Sequence, residues 1–505
     1  MPEIVFADRA YALSALSDEA ARGAAGLMAL GASGDTVALL LRNDASFVAI
    51  SEAVRLVGAA TLPLNWHLTG SEITFILEDS GATILVAHVD LWNAIHQNMP
   101  DSLKEKLTVL LLPTPDAITA AYKVAPELTS SFQSGRLWST LVADYNPISK
   151  ASEKRPYPLI YTSGTTGRPK GVQRLGTAQP ARVAYDAFFD KEAQTLLATP
   201  LYHAAAYRFM DGTLKAGGSV VLPARFSAET MLRDIETYQV TTSFVVPAMF
   251  QRLLRLPEET KHQYDLSSLR HVVVAGAPCA PELKAAMIDW WGPVIYEYYG
   301  STELGALTFA SSEDALARPG TVGRAVATAR VAILDQSGNP CVRGEVGEIY
   351  GRRDDLPDFT YLNRPDARAD VGVGDLVSMG DVGYIDSDGY LFLSDRKTDM
   401  IISNGVNIYP AQIEAAILTH PDVADCAVFG IPDDIAGEKV AAVVELLPAR
   451  SLNADMLAAF LKSKVADYMI PRYIEERVNF PRDEAGKVKK RELRAEHWKE
   501  AKRAI

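Results

Sequence analysis

The sequence has few cysteines, no excess of positive charge and no long hydrophobic run. Its 505 residues include three cysteines, too few and too widely spaced for a disulfide framework, which favours a reducing cytoplasm. Basic residues number 50 against 63 acidic ones, whereas nucleic-acid-binding proteins usually carry a basic field. No run approaches the roughly 18 apolar residues of a membrane-spanning helix, and a secretory signal is missing. We therefore expect a cytoplasmic protein with no transmembrane segment and no nucleic-acid partner.

Metal-ligand patterns of the soft type are also missing. The eight histidines form no HExxH motif and no cluster with cysteine. Apolar residues make up 48% and charged residues 22% of the chain, as in ordinary globular proteins. At roughly 100–200 residues per domain, the length suggests about three folding units.

Up to about residue 395, short apolar runs alternate with longer segments of helical spacing. The apolar runs lie at residues 36–41, 83–87, 194–199, 219–222, 243–246 and 271–275. Helical spacing is clearest at residues 231–238 and 281–290. This alternation is typical of an α/β fold in which helices flank buried parallel sheets.

The pattern changes twice toward the C-terminus. From about residue 324, strands at 331–334 and 347–351 with a turn at 335–338 predict a small antiparallel β-subdomain. Beyond residue 395, predicted helices at 410–418 and 454–466 alternate with strands at 426–429 and 440–446. We therefore predict a large N-terminal domain, 1–395, and a small α+β domain, 396–505.

The most specific segment is LIYTSGTTGRPKG at residues 159–171. A short strand leads into a loop with three glycines, four small hydroxyl residues and two cations. Backbone N–H groups and hydroxyls in such a loop are able to bind phosphate oxygens closely. The order of Lys170 and Gly171 differs from that of a Walker A loop. The alternative is a plain surface loop, which the ordered RPKG ending disfavours.

Three further motifs follow in order: YYGSTE at 298–303, GDVGY and SDRKTDMI at 380–384 and 394–401, and PRDEAGKV at 481–488. Together with the loop they resemble the adenylate-forming superfamily of acyl-CoA synthetases, peptide-synthetase adenylation domains and firefly luciferase. The resemblance extends from about residue 160 to residue 493, and is strongest to bacterial acyl-CoA synthetases. It implies a large domain followed by a small mobile lid.

The resemblance also implies the reaction. A carboxylate attacks the α-phosphate of ATP to give an acyl-adenylate and pyrophosphate, and the thiol of coenzyme A then displaces AMP. Thr302 is expected to contact the α-phosphate, and Glu303 to hold Mg²⁺ through oxygen ligands. Outside these motifs, Glu303 would be read as an acid at a helix start. Lys170 is expected to neutralise the charge that builds on the phosphates.

The nucleotide site implied by the resemblance is large. Tyr299 is expected to stack on adenine, and Asp381 to accept both ribose hydroxyls. Taken alone, Tyr299 would be a core aromatic and Asp381 a turn residue. The further ATP- or AMP-binding residues implied are Thr162, Ser163, Gly164, Thr165, Thr166, Gly167, Gly276, Ala277, Pro278, Tyr298, Gly300, Ser301 and Arg396.

The predicted lid carries the residue most directly implied in catalysis. Lys487 is expected to bridge the attacking carboxylate and the α-phosphate; the alternative is one solvated lysine in a basic run. Ser403, Asn404 and Gly405 resemble the loop that lines the pantetheine tunnel of coenzyme A. Thr398 occupies the hinge position, where the family usually has Asp or Lys.

The acid pocket is implied in outline. His203 takes the position of a residue near the substrate carboxylate, although a lone histidine is more often structural. Other pocket candidates are Phe250, Tyr298, Leu304 and Gly305.

We expect an apolar acid, either an aryl or phenylpropenoid acid such as ferulate or coumarate, or a fatty acid. The alternatives are a stand-alone acyl-AMP ligase with another acceptor, or a non-catalytic nucleotide-binding protein. We expect a monomer or homodimer.

Overall fold

The fold is described from a computed structural model of the chain. The description covers residues 2–129, 135–162, 169–176, 184–396, 399–403, 406–433, 436–482 and 488–498. Within these ranges the strands form four sheets, and helices pack on them.

The largest sheet begins as a parallel block and continues as an antiparallel one. Its strand order is β17-β18-β21-β22-β16-β15-β14-β13-β12-β10-β11-β1-β2, and β20 pairs with β21. The strands are β1 (Glu3–Phe6), β2 (Arg9–Ala12), β10 (Gln194–Leu196), β11 (Ser219–Leu222), β12 (Thr242–Val245), β13 (His271–Val274), β14 (Ile295–Ser301), β15 (Gly305–Ala310), β16 (Thr321–Ala325), β17 (Ala329–Leu334), β18 (Gly347–Arg353), β20 (Gly372–Val373), β21 (Leu376–Ile385) and β22 (Tyr390–Arg396).

The antiparallel strands expected as a separate subdomain therefore continue the large sheet. Strand β15 pairs antiparallel with β14, the last parallel strand, and β16 pairs with β15. The hydrogen-bonded ladder is thereby carried across to β22, β21, β18 and β17. A sequence pattern distinguishes antiparallel from parallel strands but contains no information on which sheet they join.

The other sheets are smaller. A parallel sheet of order β4-β3-β5-β6-β7 precedes the large one, a three-stranded antiparallel sheet has the order β19-β9-β8, and the C-terminal sheet has the order β24-β23-β26-β25 with β27 beside β26. Their strands are β3 (Thr36–Leu40), β4 (Ala60–Pro63), β5 (Ile84–His88), β6 (Thr108–Leu112), β7 (Arg136–Leu137), β8 (Ile160–Thr162), β9 (Lys170–Arg174), β19 (Phe359–Tyr361), β23 (Ile401–Ser403), β24 (Val406–Ile408), β25 (Val423–Asp433), β26 (Gly437–Leu446) and β27 (Tyr473–Glu476).

Helices cover the sheets, and local sequence sets several of their ends. Thr69 and Glu72 form a reciprocal capping box at the start of α3. Asp44 caps α2 by accepting the Phe47 N–H, and Gly58 ends that helix in the left-handed region. The helices are α1 (Leu13–Ala29), α2 (Ala45–Val57), α3 (Gly70–Ser80), α4 (Val89–Ile95), α5 (Asp101–Lys104), α6 (Asp116–Tyr122), α7 (Pro126–Thr129), α8 (Trp138–Asp144), α9 (Ala204–Lys215), α10 (Ala228–Thr237), α11 (Pro247–Leu254), α12 (Glu258–Lys261), α13 (Pro281–Trp291), α14 (Ser312–Ala317), α15 (Pro365–Ala369), α16 (Pro410–Leu418), α17 (Ala454–Leu461) and α18 (Lys490–Trp498).

The C-terminal sheet has its own buried core and contacts the larger part of the chain at a few points. Ile401, Ile413 and Leu457 are among its fully buried residues. The Ala411 N–H donates to Asp395 Oδ2 at 2.8 Å, and the Arg255 guanidinium donates to the Ala424 carbonyl. None of the helices in the described ranges combines the length and hydrophobicity needed to cross a bilayer.

Candidate active site

Several motif residues lie at one edge of the large sheet. Strands β10, β12, β13 and β14 are parallel neighbours, so their carboxyl ends share an edge. His203 follows β10, the segment 276–278 follows β13, and Tyr299 to Ser301 end β14. In open α/β sheets, ligands bind outside the carboxyl ends of the strands.

A hydrogen bond joins two motifs that are far apart in sequence. The Tyr299 hydroxyl donates to Asp381 Oδ2 at 2.7 Å, across a separation of 82 residues. Asp381 in turn lies opposite the backbone of Arg396 in the β21–β22 ladder. Gly300 follows Tyr299 at a bulge, where a Cβ atom would overlap the carbonyl oxygen of Gly305. Only glycine fits this close approach.

Glu303 is a buried carboxylate that receives two hydroxyl groups. It is 6% exposed, and its Oε1 accepts from Tyr361 at 3.2 Å and from Thr162 at 3.4 Å. Burial and the Glu303 carboxylate raise the pKa of Tyr361, which keeps its hydroxyl a donor. Thr162 is paired with Lys170 in the β8–β9 ladder, so the two ends of the predicted phosphate loop lie opposite each other, and the Thr162 end contacts Glu303.

The turn that contains Thr302 is held in place by Arg174 of β9. Arg174 Nη2 donates to the carbonyl of Thr302 at 3.0 Å, and Arg174 Nη1 donates to the carbonyl of Pro357, also at 3.0 Å. Leu304 N–H donates to Ser301 Oγ at 3.1 Å, which closes the turn on its other side. These contacts fix the backbone of the YYGSTE segment relative to the three-stranded sheet.

The donor set at this point fits Mg²⁺. Glu303 offers carboxylate oxygen, and Mg²⁺ binds through one or two carboxylates together with substrate phosphates and water. Among the described residues, no group of three or more His, Cys, Asp or Glu side chains is arranged to hold a metal. Phosphate oxygens would therefore supply the other ligands beside Glu303.

His203 lies at the start of α9 and is neutral at pH 7. Burial lowers its pKa to about 4, from an ordinary value of 6.5. The pKa of His67 is lowered to about 3, first by desolvation and then by the nearby positive charges of Arg42, Arg225 and Lys489. Lys489 belongs to the C-terminal part, so that part contributes positive potential close to the His203 region.

Tyr298 lies among aromatic side chains at the same edge. Its ring centroid is 6.4 Å from that of Phe244 on β12, which is 5.2 Å from that of Phe209 on α9. Phe209 and Phe244 carry no motif, although their apolar periodicity marks them as core positions. Phe244 and Phe209 are buried core residues, and the half-buried ring of Tyr298 lies in front of them.

The other acid-pocket candidates pack against neighbouring residues. Phe250 is fully buried and packs edge-on against Trp291 of α13, with centroids 6.0 Å apart. Leu304 belongs to a cluster with Phe359. Gly305 has a φ of +67°, and a Cβ there would press on Leu356. That Phe250, Leu304 and Gly305 line the acid pocket stays a prediction.

Several predicted residues lie outside the described residues. They are Ser163, Gly164, Thr165, Thr166, Gly167, Thr398, Asn404, Gly405 and Lys487. The chain on either side is described: Ser403 pairs with Gly437 in the C-terminal sheet, and Arg482 and Val488 form an antiparallel bridge. Gly276 has a φ of +86°, and it and Pro278 are exposed at the sheet edge with Ala277 half-buried between them.

Sequence reasoning missed Tyr361 and Arg174. Tyr361 lies in the segment 359–361, which has no motif of the kind that marked the other site residues. Its position next to Glu303 follows from the pairing of β19 with β9, a long-range contact. Arg174 follows the phosphate-loop motif by only three residues. Its positive charge so close to the motif was the one local feature that could have marked it as a site residue.

Comparison with known proteins gives a consistent result over nearly the whole chain. The family described as AMP-binding enzyme matches residues 2–356, and that described as AMP-binding enzyme C-terminal domain matches residues 412–487. A feruloyl-CoA synthase of Amycolatopsis is 32% identical, covering 95% of this chain and 92% of that protein. A medium/long-chain-fatty-acid–CoA ligase of Mycobacterium tuberculosis is 32% identical, covering 100% and 89%. The structure of an amide bond synthetase from Marinactinospora thermotolerans is similar with a TM-score of 0.83 at 28% identity, covering 97% and 96%.

Proposed function

Because the chain belongs to the family of AMP-binding enzymes and is an ATP-dependent, AMP-forming ligase, we propose that it converts an apolar carboxylic acid into its coenzyme A thioester. Membership confirms the resemblance predicted from the four motifs, and the α/β fold class is confirmed as well. The observation that carries the proposal is the hydrogen bond between Tyr299 and Asp381, together with the buried Glu303 four residues after Tyr299. These three residues are the ones that we expect to stack on adenine, to accept the ribose hydroxyls and to hold Mg²⁺.

In the first step the acid carboxylate attacks the α-phosphorus of ATP, an O–P bond forms, and pyrophosphate leaves. Thr162 and Lys170, with Ser163, Gly164, Thr165, Thr166 and Gly167, hold the β- and γ-phosphates. Thr302 contacts the α-phosphate, and Glu303 holds Mg²⁺, which supplies positive charge to the phosphates. Tyr299 stacks on adenine opposite the segment 276–278, and Asp381 and Arg396 hold the ribose.

Lys487 acts from the C-terminal domain, residues 396–505, on the large domain, residues 1–395. Its ammonium lies between the attacking carboxylate and the α-phosphate, two anions that repel each other. The position of Lys489, whose charge acts on His67, supports an approach of this segment to the His203 region. In the second step the lid turns about Thr398, and Ser403, Asn404 and Gly405 line the path of the thiol. The thiol sulfur attacks the acyl carbonyl carbon, and AMP leaves.

The acid is an aryl, phenylpropenoid or fatty acid. The half-buried ring of Tyr298, which packs on Phe244 of the core, supports an apolar substrate, because covering its remaining apolar surface is favourable. A neutral His203 at the start of α9 avoids a permanent charge beside an apolar acid while it still offers a hydrogen-bond donor. The similar feruloyl-CoA synthase and fatty-acid–CoA ligase act on acids of these two kinds, as their names state.

The test is a panel of acids with ATP, Mg²⁺ and coenzyme A. Benzoate, cinnamate, ferulate, coumarate and fatty acids of increasing length are assayed for AMP and for the thioester. We expect one of these classes to give both products in equal amounts. AMP formation with none of the acids would contradict the proposal.

A second candidate acceptor is an amine. The similarity to an amide bond synthetase favours it, since the same acyl-adenylate reacts with an amine to give an amide and AMP. Replacing coenzyme A with a set of amines in the same assay separates the two. Faster AMP turnover and amide formation with an amine would assign the acceptor as an amine.

A further inference from the structure

Tyr361 occupies a position between two groups of the candidate nucleotide site. It ends β19, which pairs antiparallel with β9 so that Tyr361 lies opposite Val172. Tyr361 and Glu303 are 5% and 6% exposed. The strand pairing therefore places a buried phenol beside a buried carboxylate.

The Glu303 carboxylate has an unusual set of partners. Within the described part of the chain, it forms no ion pair with Lys or Arg, and its two hydrogen bonds, from Tyr361 and Thr162, both reach Oε1. Among the same residues no donor reaches Oε2. The charge of Arg174 acts on Glu303 without an ion pair, and hydrogen bonds or a metal supply the rest of the compensation that a buried carboxylate needs. The two hydroxyls thus orient the group and leave Oε2 as a ligand atom.

The ring of Tyr361 contacts the second group. The Lys170 ammonium lies 5.0 Å from the ring centroid, within the range of a cation–π interaction. One side chain therefore contacts a candidate metal ligand through its hydroxyl and a candidate phosphate ligand through its ring. A tyrosine serving only the core would need neither contact.

We propose that Tyr361 is a positioning residue of the nucleotide site: its hydroxyl sets the orientation of Glu303 for Mg²⁺, and its ring sets the position of Lys170 for phosphate. This inference rests on the proposed function, and it adds a residue that acts through others rather than on the substrate. Groups that orient a metal ligand typically change metal affinity or activity about 10–100-fold when removed.

The test compares Tyr361→Phe with a matched control, Tyr161→Phe. Tyr161 lies on β8 of the same sheet, and its hydroxyl also donates to a carboxylate, Asp79 Oδ2, at 2.7 Å. Each variant is mixed with a non-hydrolysable ATP analogue, and the rise in melting temperature is recorded as Mg²⁺ is titrated. We expect the half-saturating Mg²⁺ concentration to rise about 10–100-fold in Tyr361→Phe and to stay unchanged in Tyr161→Phe.

Further variants separate the effect of the Tyr361 hydroxyl from the effect of its ring and from any effect on folding. Tyr361→Leu should weaken analogue binding at saturating Mg²⁺ more than Tyr361→Phe does, because only the leucine removes the ring beneath Lys170. In a Glu303→Gln background, Tyr361→Phe should change the Mg²⁺ dependence no further. In catalysis, Tyr361→Phe should regain its kcat at high Mg²⁺ while the KM for the acid stays unchanged.

The results test the hydroxyl of Tyr361, its ring and the proposed function separately. A wild-type Mg²⁺ dependence in Tyr361→Phe, or the same shift in Tyr161→Phe, would overturn the role of the hydroxyl. Equal analogue binding by the leucine and phenylalanine variants would overturn the role of the ring. If the parent enzyme released no pyrophosphate with any acid, the proposed function would fail. The Mg²⁺ titration with the ATP analogue would still test the role of Tyr361.

Discussion

Tyr298 is the residue for which a change of specificity is most directly expected. Its half-buried ring packs on Phe244 of the core, so removing the ring opens space in front of that side chain. Tyr298→Gly should raise kcat/KM for a bulky acid relative to a small one by about tenfold or more, the scale of a lost or relieved pocket contact. The ratio is measured across the acid panel, with Tyr298→Phe as the control that keeps the ring. An unchanged ranking in the glycine variant would remove Tyr298 from the pocket.

His203 predicts a pH effect on stability. Its pKa in the folded protein is about 4, below the ordinary 6.5, because burial disfavours the charged ring. Between pH 6.5 and 4 the unfolded chain therefore binds a proton that the folded protein does not, and stability falls as pH falls through this window. His203→Gln should lose less melting temperature between pH 6.5 and 4 than the parent protein does. Parallel melting curves across that range would contradict the assigned burial.

Single residues also show how far the sequence could be interpreted. Tyr299, Asp381 and Glu303 were found because each belongs to a local motif, and the structure brings them to one edge of the sheet. Tyr361 was not found because its contact with Glu303 spans 58 residues and depends on strand pairing. Phe250, which we predict to line the acid pocket, packs against Trp291 in the core, a contact that no local motif indicates.

At the scale of elements, α13 and β14 are joined by a buried ion pair. Lys284 and Glu297 are each 3% exposed; the Lys284 ammonium donates to Glu297 and, at 3.2 Å, to the carbonyl of Thr321. Burial raises the pKa of Glu297, and Lys284 opposes that shift. Helix α13 follows the segment 276–278 and β14 ends at the YYGSTE turn, so this pair links the two walls expected around adenine.

Lys284→Met should therefore lower stability by about 3–5 kcal/mol, because it leaves a buried carboxylate without its cation. The double variant Lys284→Met, Glu297→Met should recover most of that loss, since two apolar side chains replace the pair. Denaturant unfolding of both variants measures the difference. If the double variant is as unstable as the single one, the loss arises from packing and the ion pair is not its cause.

The elements themselves were predicted unevenly. Strand β11 (Ser219–Leu222) and helix α16 (Pro410–Leu418) have the limits expected from their apolar patterns. The helix expected at 454–466 ends earlier, as α17 (Ala454–Leu461), because Leu461 is its last buried residue and a polar turn follows. The antiparallel strands were predicted as strands, but their union with the large sheet depends on the pairing of β14 with β15, which no local pattern encodes.

For the molecule as a whole, the proposed mechanism requires the C-terminal domain to change its position relative to the large domain between the two half-reactions. Lys487→Ala should lower acid-dependent pyrophosphate release by about 10²–10³-fold, the scale for losing one preorganised charge. Thioester formation from a synthetic acyl-adenylate should fall much less, because the lid has then turned and carried Lys487 away. Equal failure of both half-reactions would indicate a structural role for Lys487, and full adenylation by the variant would exclude its catalytic role.

The central claim is that the chain activates a carboxylic acid as an acyl-adenylate. Exchange of labelled pyrophosphate into ATP, measured without any thiol or amine, tests it most directly because only a reversible adenylation step incorporates the label. We expect the rate of exchange to depend on both the acid and Mg²⁺ and to fall by about 10²–10³-fold in Lys487→Ala. Exchange without the acid, or formation of ADP and phosphate in place of AMP and pyrophosphate, would contradict it.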